Sequence, residues 1–411
     1  MEYIMAAING MRGTGEFGTD FRPKNYRELF TLLEPNGNAP LNAMLAMGSS
    51  SSTNDPEYKN FRDALPERRV TVHATGGSAP ASDTGMTIIG DDNKFVVPGT
   101  ILVNSGTGEV MRVTGSTAGT VTIGGVEVAK NDLVTVRNVG SATTSNTSDN
   151  DVLFIAGHAA AEGSSTPTPV SFDASVEFNY TQIFRTAFSV SNTLNATYLR
   201  TGNKEDEQRT KALKLHMSDI ERAMIFGKRS ETDGGTSAPL RTTGGLISNI
   251  TTKKDGKADY ATVNGNGVIT EAQFDQLLIE EIFKYGSNQK IAFVGPRVAG
   301  LLQQIGKNRF QPTQVQGTYG VNLTRYQTFA GDLLVHLHPQ FRQLSHMNSS
   351  MLVVDFPDLE YRHLDGRDTQ LLENRQNNDE DLVKHEYLSE CGLEMKQDLT
   401  HAYITNWDAL A

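Results

Sequence analysis

His336 and His338 stand two residues apart, on one face of a predicted strand. Two imidazoles at that spacing can share a metal ion if a third ligand arrives from elsewhere. No carboxylate lies within the motif, and Pro339 ends the strand, so the simpler reading is a pair of half-exposed strand histidines. The spacing Gly13-x-Gly15-x-x-Gly18 matches a dinucleotide fingerprint in number only. A phosphate cradle needs a strand before the glycines and an apolar helix after them, and neither is present. Cys391 sits between Glu390 and Gly392; an acidic neighbour disfavours the thiolate a nucleophile needs, so it reads as a buried structural thiol. The acidic stretch Asn377 to Asp381 lacks the spaced oxygens of a calcium loop and reads as a solvated turn. The serine elbow G-x-S-x-G, the Walker loop and H-E-x-x-H do not occur. These residues give no catalytic site, no cofactor site and no metal site, and the expectation is a protein that is not an enzyme.

The elements that would position such side chains are clearer than the side chains. The stretch from Asn179 to Arg229 organises the chain. Asn203 is placed to cap a helix over 203–228, with Glu205, Asp206 and Glu207 at its positive end. Leu213, Met217, Ile220 and Met224 recur at three- and four-residue steps as an apolar stripe, and Lys211, Lys214, Asp219, Glu221 and Arg222 fall largely off it. Gly227 stops the helix. Upstream the period changes to two, with Phe172, Ala174, Val176, Phe178 and Tyr180 on one face of a long, half-buried strand. A strand this long feeding a helix this long is hard to wrap into one ball, and implies a subunit that buries apolar surface on its neighbours.

Composition narrows the classes. The chain has 411 residues, 37% hydrophobic, with 38 glycines, 14 prolines and a single cysteine. This is room for two or three domains with limited cores and many turns, and it excludes a disulfide framework or a Cys-based zinc site. A net charge of −11, from 37 basic and 48 acidic residues, argues against holding nucleic acid by phosphate neutralisation. The start lacks the features of a signal peptide, and no run of about eighteen apolar residues exists; a soluble protein made in a reducing compartment is expected.

Along the chain, residues 1–24 read as an arm. Two short helical pieces follow, with Leu29, Leu32 and Leu33 on the buried face of the first. Residues 86–156 are short Val/Ile/Thr runs between turns, the pattern of a small barrel or a set of folded hairpins inserted into an outstretched loop. Thr270 and Gln273 form a capping-box pair before Phe274, Leu277, Leu278 and Ile282. A short strand over Ile291–Val294, a helix through Val298, Leu301, Leu302 and Ile305, and antiparallel strands over 318–330 and 332–338 complete an α+β unit. The tail, Met351 to Trp407, returns to long strands expected to pack on the helix at 203–228.

At NYTQIFRTAFSV, followed by the helix E-x-x-x-R-x-x-K-A-L-K-L-H-M-x-D-I-E-R-A-M-I-F-G, the chain resembles the major head proteins of tailed phages. Asn25–Leu45, Pro98–Val113, Ala161–Ser164, Tyr361–Arg367 and Lys384–Met395 resemble further pieces of that family in order, so the resemblance covers most of residues 25–406. It implies the Hong Kong 97-type α+β capsid fold. The N-terminal arm would be 1–60, and any scaffold would then be separate or absent. The extended loop would be 61–190, with a β-rich insertion at about 86–156. The peripheral domain would be 191–239 and 346–411, carrying the spine helix 203–228, and the axial domain 240–345. The implied function is self-assembly into hexamers and pentamers of a DNA-containing head shell in the virion, assembled in the host cytoplasm. Portal and scaffold or decoration proteins would be partners, with no cofactor and no membrane. Phe172, Val176, Phe178, Tyr180, Ile183, Phe184 and Arg185 are the expected arm and neighbour contacts. Two other readings are a nanocompartment shell of the encapsulin type, and a decoration or tail protein acting through the β insertion.

Overall fold

A computed structural model describes residues 39–48, 50–63, 67–73, 85–123, 126–136, 139, 147–167, 169–171, 173–197, 203–232, 238–259, 268–309, 314–315 and 323–410. The arm with Gly13, Gly15 and Gly18, and Leu29, Leu32, Leu33, Phe172 and the start of the 318–330 strand lie outside them. The chain divides into two compact units, residues 1–60 with 177–411, and residues 61–176.

The smaller unit is a closed barrel of β3 (Arg69–Val72), β4 (Gly85–Ile89), β5 (Thr100–Asn104), β6 (Val110–Ile123), β7 (Val126–Val136) and β8 (Val152–His158), in the order β3-β4-β7-β6-β5-β8. Closure removes most free edges, which suits a unit with few large apolar residues. Its interior is Val70, Val72, Met86, Ile88, Leu102, Met111, Val113, Leu133, Leu153 and Ile155, contributed by alternate residues of each strand. The runs are not all separate short strands: a 3-10 turn spans Asp91–Phe95, and β6 continues unbroken from Val110 to Ile123.

The larger unit contains two sheets. In the first, β1 (Ser50–Thr53), β20 (Leu359–Leu364), β22 (Leu382–Met395) and β10 (Gln182–Ser191) lie in that order, and β21 (Gln370–Leu372) also pairs with β22. In the second the order is β13 (Thr252–Asp255), β23 (Ala402–Thr405), β19 (Met351–Val354), β15 (Gln289–Val294), β18 (Asp332–Leu337), β17 (Leu323–Gln327) and β16 (Gln314–Val315). Short pairings join β2 (Glu57–Arg62) to β9 (Ser175–Tyr180), β11 (Ser230–Thr232) to β12 (Leu240–Thr242), and β14 (Val268–Ile269) to β24 (Ala409–Leu410). The helices are α1 (Pro40–Gly48), α2 (Asn192–Ala196), α3 (Lys204–Phe226), α4 (Leu246–Asn249), α5 (Glu271–Leu277), prolonged by a π turn over Leu278–Ile282, and α6 (Pro296–Arg309).

Helix α3 forms where the capping signal places it. The Asn203 side chain accepts the Glu205 N–H, and three acids occupy the first turn. It ends at Gly227 with ordinary φ; here glycine is needed for space. A Cβ at Gly227 would stand 2.3 Å from the Ala223 carbonyl oxygen and 2.5 Å from that of Thr243. The helix lies on the first sheet with α1, joining Leu41, Met44, Leu45, Phe184, Ile220, Met224, Ile225, Tyr361, Cys391 and Leu393 in one core. The second sheet is buried on both faces. Phe293, Leu352 and Val354 face that core, while Ala292, Val294 and Val353 face a second core under α5 and α6, with Phe274, Leu278, Val298, Ile305 and Trp407. The capping box of Thr270 and Gln273 is formed in full.

Two expectations give way. The long strand before α3 is broken at Thr181 into β9 and β10, and the buried residue of β9 is Asn179, not its apolar alternates. The Asn179 amide donates to the carbonyls of Gly244 and Leu393 and accepts the Gly244 N–H, so a satisfied polar side chain takes the inner place. The tail strands also do not all pack on α3. β20 and β22 belong to its sheet, whereas β19 and β23 pair with β15 and β13 in the other sheet.

Candidate assembly surface

The chemistry-bearing side chains are consumed by the fold. His338 is fully buried; its Nε2 donates to Glu221 Oε1 at 2.9 Å and its Nδ1 accepts the Gln340 N–H at 3.3 Å. Both ring nitrogens are therefore engaged, and His336 is not part of the arrangement. Among the described residues no three His, Cys, Asp or Glu side chains are placed to hold a metal ion. His216 contacts Ser389 Oγ at 2.7 Å, the spacing of a base and its nucleophile. Yet its Nδ1 meets Thr186 Oγ1 at 3.0 Å instead of a carboxylate, and both His216 and Ser389 are shut away from solvent. Burial holds the His216 imidazole below its usual range, so it stays neutral and structural.

The expectation that no S-x-x-K nucleophile motif occurs is wrong: Ser287-x-x-Lys290 has that spacing. The two side chains serve different partners. Ser287 Oγ bonds Gln289 O and Asp355, while the Lys290 ammonium donates to the carbonyls of Ile282, Tyr285 and Thr400 at 2.6 to 2.7 Å. Lys290 thereby closes the C-terminal end of the α5 helix, and burial pulls its pKa down to about 8. Burial pushes the Cys391 thiol up to about 12, the opposite of a reactive cysteine.

The side chains expected to meet neighbouring subunits fall into three groups. Val176 and Ile183 are open to solvent, at 50% and 53% exposure. Phe178 and Tyr180 are half-buried, edge to face at 5.6 Å, with the Arg229 guanidinium 3.9 Å above the Phe178 ring. Phe184 points inward: at 8% exposure it belongs to the subunit's own core. The alternation of β10 explains the split. Phe184, Phe188 and Val190 face α3, while Ile183, Arg185, Ala187 and Ser189 face away.

On that outward face β22 presents Glu386, Glu390 and Glu394, four residues apart and so on one side of the strand. Each is paired with an arginine from a different segment: Arg185, which holds Glu386 with both Nε and Nη2, Arg367 and Arg362. The Arg185 hydrogen bonds pull the Glu386 carboxyl below the usual range. The spacing E-Y-L-S-E-C-G-L-E was a legible signal for an acidic face; the arginines, remote in sequence, were not. Arg185 thus reaches the surface with its charge already matched. The result is a sheet face that is electrically balanced yet bordered by exposed Ile183. Such a face carries little net charge that would have to be desolvated if it were covered.

Comparison with known proteins completes this picture. The major capsid protein of Pseudomonas phage PaMx41 is 28% identical over 375 residues, spanning 87% of this chain and 84% of that protein. Among solved structures, the capsid of a native GTA particle is 8% identical over 95% of this chain and 97% of its own, with a TM-score of 0.46. The holo-SrpI encapsulin complex from Synechococcus elongatus PCC 7942 is 14% identical over 57% of this chain and 78% of its own, with a TM-score of 0.41. The SU10 major capsid protein family matches from residue 12 to residue 408, and the chain belongs to that family.

Proposed function

We propose that this chain is the shell subunit of a tailed-phage head, closing as hexamers and pentamers of a Hong Kong 97-type fold. The observation that carries the reading is the family match over nearly the whole chain, from residue 12 to residue 408. In this mapping the barrel unit is an insertion in the extended loop, which begins near residue 61 and returns through β9 and β10 to about residue 190. α3 is the spine of a peripheral domain made with β20 and β22, and residues 240–345 form the axial domain. Support comes from the two compact units and from the long helix lying on a sheet built by β10, β20 and β22.

The work of such a subunit is area burial, not chemistry, and the Ser–His and Lys sites above, both sealed and internally satisfied, fit a non-enzymatic role. At roughly 25 cal/mol per Å² of apolar area, a contact of about 800 Å² per partner only modestly exceeds the cost of association. Single contacts are then reversible, and their number makes the closed shell persist. The charge of −11 suits a lining that does not grip double-stranded DNA; a portal-based motor would confine it, with scaffold or decoration proteins as further partners. The particle belongs in the virion, and assembly would take place in the host cytoplasm. The test is electron microscopy and sedimentation of the purified chain: closed particles of uniform size are expected, and a chain that stays monomeric at high concentration would overturn the reading.

A further inference from the structure

We propose that the outer edge of β6, from Thr114 to Ile123, receives a strand edge from a second copy of this chain; this rests on the shell-subunit reading above. β6 and β7 make a hairpin longer than the barrel to which it belongs. β5 pairs with β6 only over Val110–Arg112, and β4 pairs with β7 only over Lys130–Val134, whereas β6 and β7 pair with each other out to Ile123 and Val126. A register shift between Val113 and Gly115 marks the point where β6 leaves the barrel wall. Among the described residues, positions 114–123 therefore have one partner strand and one open edge. At the rise of an extended chain, ten residues present about 33 Å of unpaired backbone N–H and C=O groups.

The side chains along this edge are Thr, Gly, Ser, Thr, Ala, Gly, Thr, Val, Thr and Ile, with no charge and no proline. Solvated edge strands are normally guarded by such residues, because an unguarded edge pairs with whatever strand it meets. The companion strand of the same hairpin is guarded. Beyond its pairing with β4, which covers Lys130 and Asp132, β7 leaves only Val126–Ala129 without a second strand, and Glu127 stands in that short stretch. One hairpin thus has one protected edge and one open edge. Backbone complementarity fixes the class of partner as another extended strand, and small side chains leave room for it. The chain belongs to a major capsid protein family, so on the shell-subunit reading a second copy is the occupant always at hand.

Hydrogen exchange on the wild-type protein tests this directly. In assembled particles, alternate amides of 114–123 should exchange about ten-fold more slowly than in dissociated subunits; equal exchange in the two states would overturn the pairing. As a second arm, the double variant Thr117→Lys, Thr120→Lys should keep the subunit's circular dichroism and melting temperature while particle yield falls about ten-fold. Glu127→Lys, on the guarded strand, should leave yield unchanged. Wild-type yield from the double variant would sink the proposal, and if that variant misfolds, the exchange measurement alone decides. Wild-type particles without protection at 114–123 would remove only the strand pairing. A wild-type chain that forms no particles would remove the shell reading as well.

Discussion

Glu221 shows how much a single buried carboxylate can hold. It accepts the backbone N–H groups of Leu41 at 3.0 Å and Asn42 at 2.7 Å, at the N-terminal end of α1, and the Nε2–H of His338. Acids placed at a helix start are stabilising, and here the acid comes from another helix, so it also fixes where the N-terminal segment joins α3. Each buried donor left without a partner costs about 1–3 kcal/mol. Glu221→Ala strands three of them and is expected to lower the unfolding free energy by about 3 kcal/mol or more, read from the urea midpoint. An unchanged midpoint would show that the clamp contributes nothing. His216 supplies a pH dependence of opposite origin. Its folded-state pKa is depressed by burial from 6.5, so below that value the unfolded chain binds a proton that the folded chain resists. Stability is then full above pH 6.5 and declines as pH falls through and below it. His216→Asn should flatten this acid limb in melting temperature against pH, and an unaltered limb would assign it to other groups. Neither Glu221 nor His216 was legible beforehand. Glu221 falls off the apolar stripe and His216 stands between Leu215 and Met217, and neither position names its partners: Leu41, Asn42 and His338 for Glu221, Thr186 and Ser389 for His216.

At the scale of elements, β10 decides between two substitutions that the sequence treats as equals. Ile183 and Phe184 are adjacent, apolar and in the same predicted arm. The strand's period of two sends Phe184 into the core with Ile220 and Cys391, and leaves Ile183 half in water. Phe184→Ala should cost about 3–5 kcal/mol of subunit stability, visible in denaturant unfolding before any question of assembly arises. Ile183→Asp should leave the unfolding midpoint within about 0.5 kcal/mol while reducing particle formation in sedimentation. Normal particle yield from Ile183→Asp would take this face out of the assembly surface. Element existence was readable where local signals agree: the Asn203 cap and acidic first turn of α3, the Thr270–Gln273 box of α5, the even strand spacing of the barrel. It failed where the decisive contact is remote. Nothing in Val176 or Asn179 announces that the amide will bond Gly244 and Leu393 and so turn β9 over. Nothing in MLVVD or HAYIT says that they will leave the α3 sheet for the one containing β15. Fully apolar short strands carry no face preference, and their partner is set by packing on both sides.

Across the whole molecule, the division into two units has an energetic counterpart. The barrel core, from Val70 to Ile155, shares no residue with the two cores of the larger unit. Residues 61–176 also exceed the length at which a closed barrel usually needs metals or disulfides to persist. Cooperativity follows shared burial: groups that lose their contacts together melt together, and groups with separate cores need not. The isolated segment 61–176 is therefore expected to fold by itself, with a single cooperative melt and dispersed amide resonances, because among the described residues closure leaves only the end of the β6–β7 hairpin with open edges. The remainder, residues 1–60 joined to 177–411 by a short glycine-serine link, should keep α3 on its sheet, since β10 and β22 pair over ten residues without help from the barrel. Calorimetry of the full chain should then show two transitions, one matching the isolated barrel. A single transition for the full chain, together with an unfolded 61–176 fragment, would mean that the barrel is held by the rest of the subunit. The insertion would then be part of the subunit's folding core instead of a module carried on it.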